Sequence, residues 1–276
     1  MDISIEQLRA YLGANPVPRL SDSAGRPVEM VRDELLIERY LGLIGVKHRY
    51  AVDIAASDGI AMSNTIRLFS LFDFSGMAVE CDPKKFSELA STYKVLPKVS
   101  LARCFVTPDN VLDLLRYHEA PYDVDLFSLD IDSFDYFVLE KVLERYRPRL
   151  LICEINEKIP VPLKFSLVYR KGVMPPGGDF YGMSLSMCCE LMLRHDYKLI
   201  DYNYNNAYFV PKSQDGVPAL SPEHAYAQGY RDRSDRAYIF AYNAKFDHLL
   251  TLPPNEAMAW LSQVWREYAG LFLLSY

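Results

Sequence analysis

Tyr50-Ala51-Val52-Asp53-Ile54-Ala55-Ala56-Ser57-Asp58-Gly59 is a short apolar run that breaks into a turn of small residues. The same rhythm repeats downstream. Strands are expected over Tyr50–Ala55, Gly76–Glu80, Val99–Cys104, Val124–Asp130 and Leu150–Glu154. Between them, helical patterns cover Met62–Leu71, Pro83–Tyr93, Asp109–His118 and Phe134–Tyr146, with Pro83 and Pro108 near helix starts, where proline is tolerated. Strands alternating with helices imply a parallel sheet with helices on both faces, and nearly continuous apolar strands suit a sheet covered on both sides. The fold class is therefore α/β.

Outward from this block the rhythm changes. Before it, Val31 to Ile44 has a helical apolar pattern, with Leu35, Ile37, Leu41 and Ile44 on one side, and Pro16, Pro18 and Gly25 interrupt the chain ahead of it. After it, residues 158–183 hold Pro160, Pro162, Pro175 and Pro176 and several glycines, and predict a long irregular connection. A helix over Ser184–His195 and a hairpin of Lys198–Tyr204 and Ala207–Pro211 follow. Residues 212–276 read as a helical tail, including Asn255–Leu274 with Trp260 and Trp265, too apolar to hang free. The expected organisation is a helical segment over 1–48, the main domain over 49–212 and a C-terminal extension over 213–276. That extension is expected to pack on the domain or on a second copy in a homodimer.

Composition narrows the function classes. Half of the 276 residues are hydrophobic, 24% are charged and the formal net charge is −6. This excludes a disordered chain and argues against a nucleic-acid backbone binder. No apolar run approaches the ~18 residues of a membrane helix, and the acidic start lacks a signal-peptide pattern. The five cysteines, Cys81, Cys104, Cys153, Cys188 and Cys189, show no C-x-x-C spacing and read as thiols in a reducing, cytoplasmic setting. The five histidines are scattered, with no ligand spacing.

In doubly wound sheets ligands sit outside the carboxyl ends of the strands. The first strand ends in the Ala55–Gly59 turn, which lets backbone approach a ligand, although it lacks the three-glycine dinucleotide fingerprint. The second ends in Glu80, 21 positions after Gly59, where a carboxylate can accept from both hydroxyls of a ribose. Beyond the third, Phe105 and Val106 offer apolar side chains to a base. The fourth ends in Asp130-Ile131-Asp132-Ser133-Phe134-Asp135 and the fifth in Glu154-Ile155-Asn156-Glu157. Asp130, Asp132, Glu154 and Asn156 suit three roles alike: a hard cation such as magnesium or calcium, acid–base work, or hydroxyl binding.

Three blocks carry a resemblance over about residues 49–212. Val52 to Gly59, with Ser63, resembles the V-D-I-G-A-N-x-G turn of FkbM-type methyltransferases, a group of class I S-adenosylmethionine-dependent enzymes. Asp125–Asp135 with Val138-Leu139 resembles their D-L-x-x-I-D-x-x-G-x-E-x-x-V-L block. Arg149–Asn156 resembles their strand ending in E-x-N, and Asn206–Val210 is similar to their N-A-x-F-V strand. Ala55 and Ser133 stand where glycine is usual, and Asp135 where glutamate is.

The resemblance implies a Rossmann-like three-layer sandwich whose seven-stranded, mostly parallel sheet has the order 3-2-1-4-5-7-6. It implies S-adenosylmethionine as cofactor, with Asp53, Ala55, Ser57, Gly59, Glu80, Cys81, Phe105, Val106 and Asp130 around it. Asp130 and Asp132 are the candidate catalytic residues. Asp132, Glu154, Asn156 and Tyr181 are the candidate acceptor contacts, and Asp130, Asp132, Glu154 and Asn156 the candidate metal ligands. The Pro/Gly loop, including Asp179, Phe180, Tyr181 and Ser184, is expected to form part of the acceptor pocket and to close as a lid. O-methylation of a small molecule, at a sugar or natural-product hydroxyl or a carboxylate, is the leading function. The rivals are an NAD-dependent oxidoreductase and a non-catalytic scaffold of the same fold.

Overall fold

The computed structural model describes residues 4–14 and 32–276; the interruption expected at Pro16, Pro18 and Gly25 lies outside the described residues. Two compact units make up the chain. One ends at Leu129 and takes in Arg145–Leu151; the other holds Asp130–Glu144 and Ile152–Tyr276.

The first unit contains α1 (Ile5–Ala14), α2 (Asp33–Ile44), β1 (Tyr50–Ile54), α3 (Ile66–Leu71), β2 (Ser75–Glu80), α4 (Pro83–Tyr93), β3 (Val99–Arg103), α5 (Val111–Tyr117) and β4 (Leu126–Leu129). β1 pairs in parallel with β2 and β4, and β2 with β3. Asp125 fixes the start of β1: its buried carboxylate accepts from the backbone N–H of Lys47, His48 and Tyr50. α4 begins at Pro83 because Asp82 caps it, accepting from Lys84 N and Lys85 N.

The second unit contains α6 (Asp135–Leu143), β6 (Lys164–Leu167), α7 (Leu185–Arg194), β7 (Tyr197–Asn203), β8 (Asn206–Pro211), α8 (Pro222–Tyr226), α9 (Arg236–Ile239), α10 (Pro254–Val264) and β9 (Phe272–Ser275); β5 (Leu150–Glu154) straddles the boundary. Seven strands form one mostly parallel sheet in the order β3-β2-β1-β4-β5-β8-β7, with β7 and β8 antiparallel. This is the expected Rossmann-like sheet with flanking helices; the numbering moves by one because β6 is inserted before the hairpin.

Three expectations need correction. The helix expected over Met62–Leu71 starts at Ile66, because Asp58 Oδ1 accepts from Ile60 N and Ala61 N while Ser63 Oγ accepts from Thr65 N and Ile66 N. Those side chains satisfy the donors of 60–65 in turns instead. The helix expected over Asn255–Leu274 stops at Val264, and Phe272–Ser275 pairs antiparallel with β6 as a second, two-stranded sheet. Gly270 sits at φ +81° between them. Finally, the end of the loop expected to act as a lid, Phe180 to Ser184, is core. Phe180 is 2% exposed and packs against Phe165, Trp265, Tyr268 and Phe272.

The C-terminal residues build this core rather than trailing from it. Phe246, Leu249, Leu261 and Trp265 join Phe134, Leu163 and Phe165 in one buried cluster. The tyrosines of the hairpin meet those of 226–230: Tyr202 stacks on Tyr226, which meets Tyr230 at a tilt of 44°. Arg231, Arg233 and Arg236 are paired with Asp232, Asp235 and Asp247. No helix among the described residues is long and apolar enough to cross a membrane.

Candidate functional site

In the first unit the chemistry gathers where β1 and β2 end. Ala55, Ser57 and Gly59 all have positive φ, +71°, +52° and +77°. A left-handed alanine or serine costs on the order of 1–2 kcal/mol, so this turn keeps a glycine-like shape without glycine at two positions. Ala55 N and Ala56 N both donate to Val79 O, which clamps the turn to β2. Gly59 is required by packing. A Cβ there would lie 2.5 Å from the Tyr93 ring and 2.6 Å from Leu89 Cδ1.

Glu80 is 5% exposed, and its two oxygens divide their work. Oε2 accepts from Ser57 N at 2.9 Å and Oε1 from Asp82 N at 2.8 Å. The Cys81 thiol also hydrogen-bonds to Glu80, and a carboxylate offers about four acceptor positions in all, more than these three donors use. Asp53 lies beneath the turn, accepting from the Thr65 hydroxyl at 2.6 Å. Burial pushes its pKa up to about 6, against the Thr65 hydrogen bond and with a smaller push from Glu80.

The remaining candidates of this unit separate. Cys81 is exposed, and burial of its thiol together with Glu80 raises its pKa. Phe105 is 37% exposed, whereas Val106 is turned into the core at 4%. Asn110 holds this turn by donating to Phe105 O and accepting from Thr107 N.

In the second unit the oxygens of Asp130, Asp132 and Glu154 lie within 4.8 Å of one another. Their loop is shaped by Asp135, 1% exposed, whose carboxylate accepts from Ile131 N and Ser133 N. Burial pushes the Asp135 pKa up to about 6. Asp132 adopts φ +53°. Burial, and then the charges of Asp130 and Asp132, hold the Glu154 pKa well above the usual carboxylate range. Burial and like charge thus disfavour the ionised form of Glu154, which also hydrogen-bonds to Asp130. Asn205 Nδ2 donates to Glu154 Oε1 and orients it.

Asn156 and Tyr181 are tied into the protein, although Asn156 Oδ1 has no hydrogen-bond partner among the described residues. Asn156 is fully buried and donates both amide hydrogens to the carbonyls of Asp179 and Tyr181. Tyr181 donates its hydroxyl to Glu157 Oε2 at 2.8 Å and accepts from Lys158 Nζ at 3.2 Å. Sequence reading missed this pair. Glu157 and Lys158 are 1% and 4% exposed, and Asn243 also donates to Glu157. Adjacent unlike charges after a strand do not distinguish a buried pair from a solvated one; only the apolar residues around them hinted at burial.

The chemistry available is thus a buried carboxylate tied to the β1 turn, and separately a carboxylate triad in which burial and like charge disfavour full ionisation. The triad's hard oxygen donors also fit a small divalent cation.

No protein-family model matches the sequence, and no curated protein matches it. Solved structures are similar at low identity. An S-adenosylmethionine-dependent methyltransferase from Clostridium acetobutylicum aligns at 11% identity and a TM-score of 0.42, over 67% of this chain and 92% of that one. The N-terminal domain of EvdMO1, in the presence of SAH and D-fucose, aligns at 8% and 0.42, over 75% and 95%. Mitomycin 7-O-methyltransferase MmcR aligns at 12% and 0.37, over 65% and 53%. The first and third are named as methyltransferases, and the second was solved with SAH.

Proposed function

We propose that the protein is an S-adenosylmethionine-dependent methyltransferase, FkbM-like in kind, that methylates a hydroxyl or carboxylate oxygen of a small molecule. The observation that carries this reading is Glu80: a buried carboxylate at the end of β2, tied to the Ala55–Gly59 turn by Ser57 N. In the proposed complex Glu80 accepts from the ribose hydroxyls, and Phe105 rests against the base. When bound, the cofactor supplies an electrophilic methyl group on a sulfonium.

The chain's own part is proton handling. A neutral hydroxyl is a poor nucleophile, so a base that takes its proton during attack helps. In the proposed reaction Asp130 accepts the acceptor's proton, while the charges of Asp130 and Asp132 favour the protonated form of Glu154. Were Asp130, Asp132 and Glu154 to hold a divalent cation, it would lower the hydroxyl's pKa by Lewis acidity. Asn156 and Tyr181 act as struts for 179–181.

Calorimetry against S-adenosylmethionine, its demethylated product and NAD separates the readings. Binding of the first two alone is expected. Binding of NAD alone would favour an oxidoreductase, and binding of none a scaffold.

A further inference from the structure

A second recess lies in the first unit at the amino ends of β2 and β3, the opposite ends of these strands from the Glu80 turn. It measures about 280 Å³ and is lined by Phe69 and Phe74, by Val95 and Leu96 of the turn before β3, and by Ile5 and Arg9 of α1. Its floor is apolar: Phe69, Phe74, Leu96 and Val99 are each at most 9% exposed. Its rim is charged and unbalanced. Asp73 and Lys98 both line it, with Lys98 Nζ 2.7 Å from each Asp73 oxygen. Three cations, Lys98, Arg9 and Arg49, lower the pKa of this one exposed carboxylate. Arg9 donates its Nε to Ser70 O at 2.7 Å.

An apolar floor under a rim with excess positive charge selects an amphiphilic anion. The volume is near the lower end for small-molecule sites. We propose that this recess binds a small monocarboxylate with an aromatic or short aliphatic body, the body on Phe69, Phe74 and Leu96 and the carboxylate on Arg9. A monocarboxylate is favoured because Arg9 is one planar, bidentate donor, and Asp73 already neutralises Lys98. The site is independent of the methyl-transfer reading, because neither Glu80 nor the acidic triad takes part.

The recess also touches the cofactor turn by a short path. Phe69 meets Tyr93 edge-on at 5.9 Å, and Tyr93 packs against Gly59.

The test uses the full chain with 3-phenylpropionate as probe, its uncharged amide as control, and calorimetry as readout. The acid should bind saturably, one to one, with a Kd of about a millimolar or tighter. The amide and the Arg9→Gln variant should each bind about tenfold more weakly, the loss of one charge-assisted contact. Val95→Trp, at the partly exposed mouth, should abolish binding; a melting curve checks that this variant is folded. Arg9→Gln lies on an exposed helix position and keeps the test decisive if Val95→Trp does not fold. Absence of saturable binding, equal affinity for acid and amide, or full affinity in Arg9→Gln would overturn the proposal.

Discussion

Replacing Lys158 with methionine isolates the buried pair of the second unit. Glu157 would keep its bonds from Tyr181 and Asn243 but lose the ammonium 3.5 Å away. Both side chains are at most 3% exposed, so water cannot replace the lost partner. Breaking one member of a buried pair costs roughly 3–5 kcal/mol, whereas removing both charges together is often near neutral. Lys158→Met should therefore destabilise by about 3–5 kcal/mol. Glu157→Gln with Lys158→Met should recover most of that, because the amide still accepts from Tyr181. The assay is urea unfolding followed by tryptophan fluorescence, since Trp260 and Trp265 both lie in this unit. A loss below about 1 kcal/mol, or a double variant as unstable as the single, would refute the reasoning: the first would mean the charge is solvated, the second that the stem's packing matters instead.

Glu154→Gln should change the pH dependence of stability. The Glu154 pKa is raised in the folded state, so the folded chain holds a proton that the unfolded chain releases. Stability is therefore lost as pH rises from the unfolded pKa of about 4.3 through the folded value, and the glutamine variant should gain on the wild type across that window and match it below pH ~4; parallel curves would sink the idea. Gly59→Ala should destabilise the first unit by roughly 2–4 kcal/mol, from the left-handed backbone and the contacts with Tyr93 and Leu89; a thermal melt unchanged within about 2 °C would contradict it. Phe180→Ala should cost about 3–5 kcal/mol by opening a cavity among Phe165, Trp265 and Phe272; unchanged stability would restore the lid reading.

Much of the first unit was legible because its signals are local. β1 and β2 are apolar runs ended by charged or small residues, and α4 carries its own start in Asp82-Pro83. The start of α3 was not legible, since the choice between a helical turn and the Asp58 and Ser63 side-chain caps depends on geometry after β1 has paired. β6 and β9 escaped because each is four residues long and finds its partner about a hundred residues away. For the candidate site, the strand ends pointed to Asp130, Asp132 and Glu154, whose oxygens the structure brings within 4.8 Å of one another. That the Asn156 amide is spent on the carbonyls of 179 and 181, and the Tyr181 hydroxyl on Glu157, was not legible, because residue type reveals a hydrogen-bonding group but not its partner.

The central claim is that Glu80 grips the sugar of an adenosine-bearing cofactor. Titrating S-adenosylhomocysteine into the wild type and into Glu80→Gln, with a melt to confirm that the variant folds, tests it most directly. Saturable one-to-one binding to the wild type is predicted, weakened roughly 10- to 150-fold in the variant, which corresponds to about 1.5–3 kcal/mol for hydrogen bonds to a charged acceptor. No binding to the wild type, or equal affinity in the two proteins, would contradict the account.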